Sequence, residues 1–484
     1  MTSVRNKTAS AILLRLVCGL VGTCEFSAAQ SNNWASTTAL GTSTQQQPDN
    51  EWWKTFQDQQ LTELIQRAIS NNLDLKLAAA RVEEARAARG IEKSALYPSV
   101  SSGLSAVRTQ QRIAAVAGTG ATGFRPLELN NFQIGFDSSW ELDIFGRIRN
   151  EVKAATNDLR SAQEDRRDVL VTLLGDLATT YADLRGFQLR LQIAQKNIQS
   201  QNDTVALTQA RATAGLATEL DVTRAIAQLE TTSAVVPSLQ AAVASSIHRI
   251  SVLLGEEPGA LQSQLEVSAP VPVVPPDVPV GLPSDLLKRR ADVRRADVEI
   301  AAAAARIKVA KADYFPRFTL LGSAGRQANQ LHELSLSLGN FFSVGPSITL
   351  PMFTGGRIRS NVDLQKARWT QAQVVYRSVV LTALEETEDA LTNYASEQQR
   401  RDHLQAAVSR NQTAVQLSRE RYRSGLADFL TVLDAERQLY SGEDSLAQSQ
   451  IAVTTRLIAL YKALGGGWEN SFPLALSKAP SQQP

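Results

Sequence analysis

Phe-Gly-Arg-Ile-Arg at 145–149 returns as Gly-Gly-Arg-Ile-Arg at 355–359, and that return decides the fold. Arg-Ala-Thr-Ala-Gly-Leu-Ala at 211–217 comes back as Arg-Tyr-Arg-Ser-Gly-Leu-Ala at 421–427, and Leu-Leu-Gly at 253–255 as Ala-Leu-Gly at 463–465. Gly146 thus answers to Gly356, Gly215 to Gly425 and Gly255 to Gly465, always 210 residues on. Solenoid repeats run to about 20–50 residues. A unit this much longer is a duplicated, domain-sized element, so the chain works with two quasi-equivalent halves.

Downstream of Gly146 no proline intervenes before Gly215, and only Gly175 and Gly186 weaken a helix. Leu170, Leu177, Leu184, Leu191, Ile198 and Val205 recur every seven residues, with Leu173, Phe187 and Ala194 three further on. Such a seam is the mark of supercoiled helix packing. Val380, Leu384, Leu391, Tyr394, Leu404, Val408 and Val415 keep it more loosely in the second copy. The pattern predicts helices over 147–213 and 357–423, each about 100 Å long at about 1.5 Å per residue. A strut of that length does not fit inside a compact domain. Each ends at a Gly-Leu-Ala turn, and antiparallel helices are expected to return over 218–254 and 428–464.

Upstream of each Gly-Arg-Ile-Arg the period changes from helical to two. Phe132, Ile134, Phe136, Ser138, Trp140, Leu142 and Ile144 alternate with Gln133, Gly135, Asp137, Ser139, Glu141 and Asp143. Phe342, Val344, Pro346, Ile348, Leu350 and Met352 repeat the parity in the second half. Shorter partners follow Pro98 and Pro316: Val100, Ser102, Leu104 and Ala106, then Phe318, Leu320, Gly322 and Ala324. The reading is two hairpins, about 98–145 and 316–354, with strands of about ten residues and polar loops near 108–131 and 326–340. Two half-buried hairpins of a soluble sheet fit the alternation, as do transmembrane strands with one apolar and one polar face. A helix over 61–96, with Leu61, Leu64, Ile65, Ala68 and Ile69 on one stripe, precedes the first hairpin. A second, opening with Ser284 as N-cap, runs to Phe315-Pro316.

Residues 1–29 read as an export signal: Arg5 and Lys7, then an apolar run through Ile12–Val21. Two exits are open. Ser27-Ala28-Ala29 suits an ordinary signal peptidase, whereas Val21-Gly22-Thr23-Cys24 resembles a bacterial lipoprotein box that would lipidate Cys24. The second cysteine, Cys18, lies within the run, so the exported chain has no disulfide framework. Residues 30–60 form an N-terminal segment, Ser/Thr/Gln-rich up to about 50 and expected to be loosely ordered there. Seven prolines between 256 and 283 predict an extended linker, and 466–484 form a C-terminal tail. The balance of 50 basic against 48 acidic residues argues against a nucleic-acid partner, and no apolar stretch beyond the N-terminus is long enough for a spanning helix.

Catalytic chemistry is not visible. His248, His332 and His403 lie far apart with no ligand spacing, so no metal site is expected. The Gly118–Gly123 stretch lacks the Gly-Lys-Ser/Thr of a phosphate loop and reads as a loop tip. Glu385, Glu386, Glu388 and Asp389 read as a solvated or lumen-facing acidic run. Neither an enzyme nor a cofactor is expected.

Four strands cannot close a barrel, and in lipid every strand edge must be paired. Two chains would supply eight strands around a filled interior; three would supply twelve and leave a pore. Helical struts, a wet inner strand face and an export signal together describe a conduit.

These residues resemble the TolC-type outer-membrane efflux channels, and within them the OprM/NodT-like outer-membrane factors of drug-efflux pumps. The resemblance spans nearly the whole exported chain. It rests on Glu-Trp-Trp-Lys-Thr-Phe at 51–56, Ala-Leu-Tyr-Pro-Ser at 95–99 and Trp-Glu-Leu-Asp-Ile-Phe-Gly at 140–146. It rests equally on Pro-Ser-Asp-Leu-Leu-Lys-Arg-Arg-Ala-Asp-Val at 283–293, Tyr-Phe-Pro-Arg at 314–317 and Gly-Leu-Ala-Asp-Phe-Leu-Thr-Val-Leu-Asp-Ala at 425–435. It implies a mainly α fold with a transmembrane β portion: a homotrimer whose hairpins make a twelve-stranded barrel in outer-membrane lipid above a periplasmic helical tube. An equatorial collar would come from the linker and termini. The tip would dock on a periplasmic adaptor of an inner-membrane pump, and small molecules such as drugs would leave through the tube.

Leu430, Asp434 and Arg437 match the family's gate positions; spaced four and three apart, they share one helix face. Gly215, Leu216, Asp221, Arg224, Gly425, Leu426 and Asp428 would form the aperture and adaptor-docking tip. Metal ions or secreted proteins are the alternative cargo. A soluble periplasmic coiled-coil adaptor is the rival class, and it does not account for the two alternating hairpins.

Overall fold

The computed structural model describes residues 42–43, 51–116, 122–275, 278–281, 283–335 and 339–468. The expected export signal, Cys24, the loop tip around Gly118 and the tail beyond Trp468 lie outside these residues. In the first half, α1 (Gln59–Asn71) and α2 (Leu73–Ser94) lead into strands β1 (Ser99–Val116) and β2 (Thr122–Leu142). The strut α3 (Arg147–Thr213) follows, and α4 (Glu219–Ser233) and α5 (Val235–Leu253) return from its far end. The second half repeats the order: α6 (Pro283–Arg289), α7 (Ala291–Ala312), β3 (Arg317–Ala328), β4 (Asn340–Thr349), α8 (Arg357–Arg423) and α9 (Phe429–Ala463). The two struts are each 67 residues long.

Several expected elements are divided differently. The helix expected over 61–96 breaks at Asn72, whose backbone leaves the helical region at ψ 135. The buried Asn72 side chain accepts from Leu75 N and donates to Leu253 O, so capping and a tertiary bond together outweigh continuation. Its counterpart breaks at Arg290, at ψ 124, where the guanidinium pairs with Asp292 and Glu386 and donates to Ala463 O. Helix α6 starts at Pro283 itself, the first-turn position proline favours, not after a Ser284 cap. The return helix expected over 218–254 is divided at Ala234 because Pro237 has no N–H for the Ser233 carbonyl. The linker is not wholly extended: Gln262–Leu265 forms one helical turn, and Val278–Pro279 pairs in parallel with Thr42–Ser43. Within the acidic run, Glu386 is tied to Arg290 and does not stand free.

The hairpins differ from expectation mainly in length. Strands β1 and β2 hold 18 and 21 residues, so most of the stretch read as a polar loop near 108–131 is ladder. In the second hairpin the loop carries a short 3-10 helix, Leu331–Ser335. The four strands form one antiparallel sheet in the order β1-β2-β3-β4. Its register aligns Leu104 with Ile134 and Ile134 with Arg326; Phe136 with Ala324 and Ala324 with Phe342; and Trp140 with Leu320. Every apolar set identified by parity therefore falls on the same face. The run Phe132–Leu142 is about 33 Å along the strand, or about 25 Å high at the tilt of a membrane barrel. Beyond it the same face turns polar, with Arg108 paired to Glu128.

The core lies where the struts cross the return helices, near mid-strut. Leu170, Leu174, Leu177, Leu184, Leu391, Leu457 and Leu460 meet the buried Trp52, Trp53 and Phe56 there, and Trp52 stacks on Tyr461 at 5.3 Å. Gly175 and Gly186 weaken α3 locally but admit α9: a Cβ on Gly186 would stand 2.2 Å from Ile451 Cδ1, and one on Gly175 3.0 Å from Lys462 Cδ. No helix among the described residues is long and apolar enough to cross a membrane.

Candidate gate, docking tip and channel wall

Both struts end in the same turn. Gly215 (φ +72) and Gly425 (φ +73) take the left-handed conformation. Leu216 N donates to Arg211 O and Leu426 N to Arg421 O, both at 2.8 Å, the long bond of a Schellman cap. In that motif the residue after the glycine usually packs back on its own helix. Here Leu216 and Leu426 are 66% and 70% exposed, which leaves two leucines at the extreme end of the molecule.

The next turn exchanges one pair of residues between halves. Thr218 caps α4 with Asp221 three residues on, and each side chain bonds the other's backbone N–H. In the second half Asp428 caps α9, accepting from Thr431 N at 3.0 Å and Thr431 Oγ1 at 2.5 Å. Those two bonds hold the Asp428 carboxyl below its ordinary pKa. Asp221 and Asp428 are thus helix caps first, and their remaining charge lies at the mouth.

Leu430, Asp434 and Arg437 all lie exposed on one face of α9, and Arg224 is exposed at the matching level of α4. Arg437 does not pair with Asp434. It donates instead from Nε to Gln228 Oε1 at 2.6 Å, joining α9 to α4. Among the described residues Asp434 meets no hydrogen-bond partner.

Behind this face lies a support that sequence reasoning missed. Glu436, buried, accepts from Thr204 Oγ1 (2.8 Å), Arg419 Nε (2.9 Å) and Arg419 Nη2 (2.6 Å), and Arg419 donates to Ser200 Oγ as well. One carboxylate therefore ties α3, α8 and α9 together. Arg211 stacks on the Tyr422 ring at 4.6 Å and donates to Tyr422 O, holding the end of α8 to α3. A carboxylate in phase with the buried Phe429, Val432 and Leu433 was the available signal.

At the other end, the sheet's inner face is lined with small residues. Cβ atoms on Gly135 and Gly325 would stand 2.8 Å from Ala324 O and 2.3 Å from Ile134 O. The two glycines face each other across β2 and β3, and that close backbone approach leaves no room for a side chain on either. The sheet-to-strut joint is held by Arg147 pairing with Glu141 and Glu151, and by Arg149 with Asp143.

Comparison with known proteins agrees with this anatomy. The model of the family described as "Outer membrane efflux protein" matches residues 64–256 and 282–466. The chain is 32% identical over 422 residues to the pyoverdine export outer membrane protein OpmQ of Pseudomonas aeruginosa, covering 87% of this chain and 88% of that one. It is likewise 32% identical over 417 residues to the toluene efflux pump outer membrane protein TtgI of Pseudomonas putida, covering 86% and 87%. Among solved structures it resembles the outer-membrane channel OprN at 36% identity, with a TM-score of 0.84 over 90% of this chain and 96% of that one. VceC of Vibrio cholerae superposes with a TM-score of 0.77 at 28% identity, over 87% and all of the two chains. The chain is an outer-membrane channel with a long periplasmic helical extension, and it belongs to the outer membrane efflux protein family.

Proposed function

We propose that three copies of the chain close one twelve-stranded barrel and that the resulting tube is a passive exit duct for small molecules. The observation that carries this is the sheet itself. One face is mainly apolar between Phe132 and Leu142, with Arg326 near its upper margin, the other is mostly small and polar, and the outer strands β1 and β4 have unpaired edges within the chain. In lipid those edges must be paired, and pairing β4 of one copy with β1 of the next satisfies both. Relatives named for toluene and pyoverdine export support small-molecule cargo over metal ions or proteins.

The leucines after Gly215 and Gly425 form the face that meets a periplasmic adaptor, which delivers cargo from an inner-membrane pump. Leu430, Asp434 and Arg437 shut the tube at rest. An isolated exposed pair contributes only about 0–1 kcal/mol, but threefold repetition around one aperture multiplies it, and Asp434 is left for a neighbouring copy. The test is planar-bilayer recording of the detergent-extracted protein beside Asp434→Ala/Arg437→Ala. The double variant should show a raised closed-state conductance; an unchanged one removes these residues from the gate.

A further inference from the structure

The sheet register sorts the inner wall into cross-strand rows. Ser99, Ser139, Leu321 and Gly345 share one; Ser101, Asp137, Ser323 and Ser343 the next; Gly103, Gly135, Gly325 and Phe341 the third. Ser105, Gln133 and Gln327 follow above. Among these residues Asp137 is the single carboxylate and Phe341 the single ring. The rest of these rows is uncharged; the rows below add Glu141 and then Arg317, both held in ion pairs with Arg147 and Asp313.

Neither Asp137 nor Phe341 is committed elsewhere. Glu141 pairs with Arg147, Asp143 with Arg149 and Glu128 with Arg108, whereas Glu333 stands outside the strands, in the short 3-10 helix of the second hairpin's loop. Asp137 is exposed, and its carboxylate has no hydrogen-bond or ion-pair partner among the described residues. Arg326 and Arg108 stand on the opposite parity, on the face that carries Ile134 and Phe136. Phe341 is half-buried and lies in register with Gly325, which has no side chain to cover the ring. Two strand spacings and one row separate Phe341 from Asp137, a distance of about 12 Å.

Resting on the conduit reading above, we propose that Asp137 and Phe341 form a selectivity station in the barrel, favouring organic cations with an aromatic or apolar body. A carboxylate on a low-dielectric wall raises the local concentration of cations and repels anions. A ring face adds cation–π attraction and an apolar surface for the body of the solute. Copies of the chain around one lumen would repeat both points at one height. An anion of the same size is repelled by Asp137, and a neutral solute gains the apolar contact of the ring without the charge attraction.

The test uses the full-length channel in planar bilayers, with probes added from the barrel side. Reversal potentials in a KCl gradient measure ion preference; block by tetraphenylphosphonium against tetraphenylborate measures the station. The wild type should prefer K+ and be blocked by the cation alone. Asp137→Asn should lose that preference several-fold, and Asp137→Glu should retain it. Phe341→Ala should keep the ion preference and weaken the phosphonium block several-fold. A conducting channel in which Asp137→Asn and Phe341→Ala change neither readout would overturn the station alone. Because the tip is closed at rest, the same recordings are made on Asp434→Ala/Arg437→Ala, and no conductance in that channel either would overturn the conduit and the station with it.

Discussion

Truncation of Glu436 to alanine should loosen the gate from behind. Its carboxylate sits 2.6–2.9 Å from two Arg419 nitrogens and 2.8 Å from the Thr204 hydroxyl. The Glu436 side chain is 7% exposed and that of Arg419 is 29%. Breaking a buried pair costs about 3–5 kcal/mol when the surviving charge is left dry. Arg419 keeps access to water, which screens the loss to about 2 kcal/mol. At about 1.4 kcal/mol per tenfold, that favours detachment of α9 from α8 and α3 roughly 30-fold in each chain. Because Asp434 and Arg437 are aimed by the helix that Glu436 anchors, the variant should show leak current in bilayers and faster tryptic cleavage near the tip. Glu436→Gln, which keeps an acceptor, should fall between. An alanine variant as tight and as protease-resistant as the wild type would refute the idea that this ion pair holds the gate.

The face assignment is tested by Phe136→Arg and Val344→Arg, at the centre of the apolar run, which should each cost about 2–4 kcal/mol near mid-membrane and lower assembly yield. Ser139→Arg should assemble and change conductance instead, and equal yields for all three would reject the two-faced sheet. Burial, with Asp292 beside it, pushes the Asp168 carboxyl above its ordinary pKa. A raised carboxyl favours the folded state when protonated, so that contribution is lost as pH rises through the folded value. Asp168→Asn should therefore raise the melting temperature at pH 7.5, with the gain vanishing below about pH 3.9; a gain independent of pH would contradict the burial argument.

Much of this architecture is legible because two periods dominate the chain. Phe132 to Leu142 alternate strictly, and Leu170 to Val205 recur in sevens, so strand face and strut length follow from spacing alone. Offsets explain one miss. Asn72 and Pro98 answer to Arg290 and Pro316 at 218 residues, not 210, so the first hairpin is eight residues the longer. Tertiary bonds explain others: nothing local announces that Asn72 caps α2 while donating to Leu253, or that α6 begins on Pro283. At the tip, Gly215, Gly425 and the exposed face of α9 were readable from repeat and spacing. The Glu436–Arg419–Thr204 support was not, since it joins three helices whose relative rotation no single-helix pattern encodes. The Arg437–Gln228 bond was equally hidden, lying between halves that are related by duplication yet pack asymmetrically.

The central claim is that three chains complete one barrel, and the most direct measurement is native mass spectrometry of the detergent-extracted protein. The account predicts a single species containing three copies of the chain, which falls apart only when the membrane-facing sheet is disrupted, as by Phe136→Arg. A two-chain species, whose eight strands would leave no pore, or a monomer soluble without detergent would contradict it.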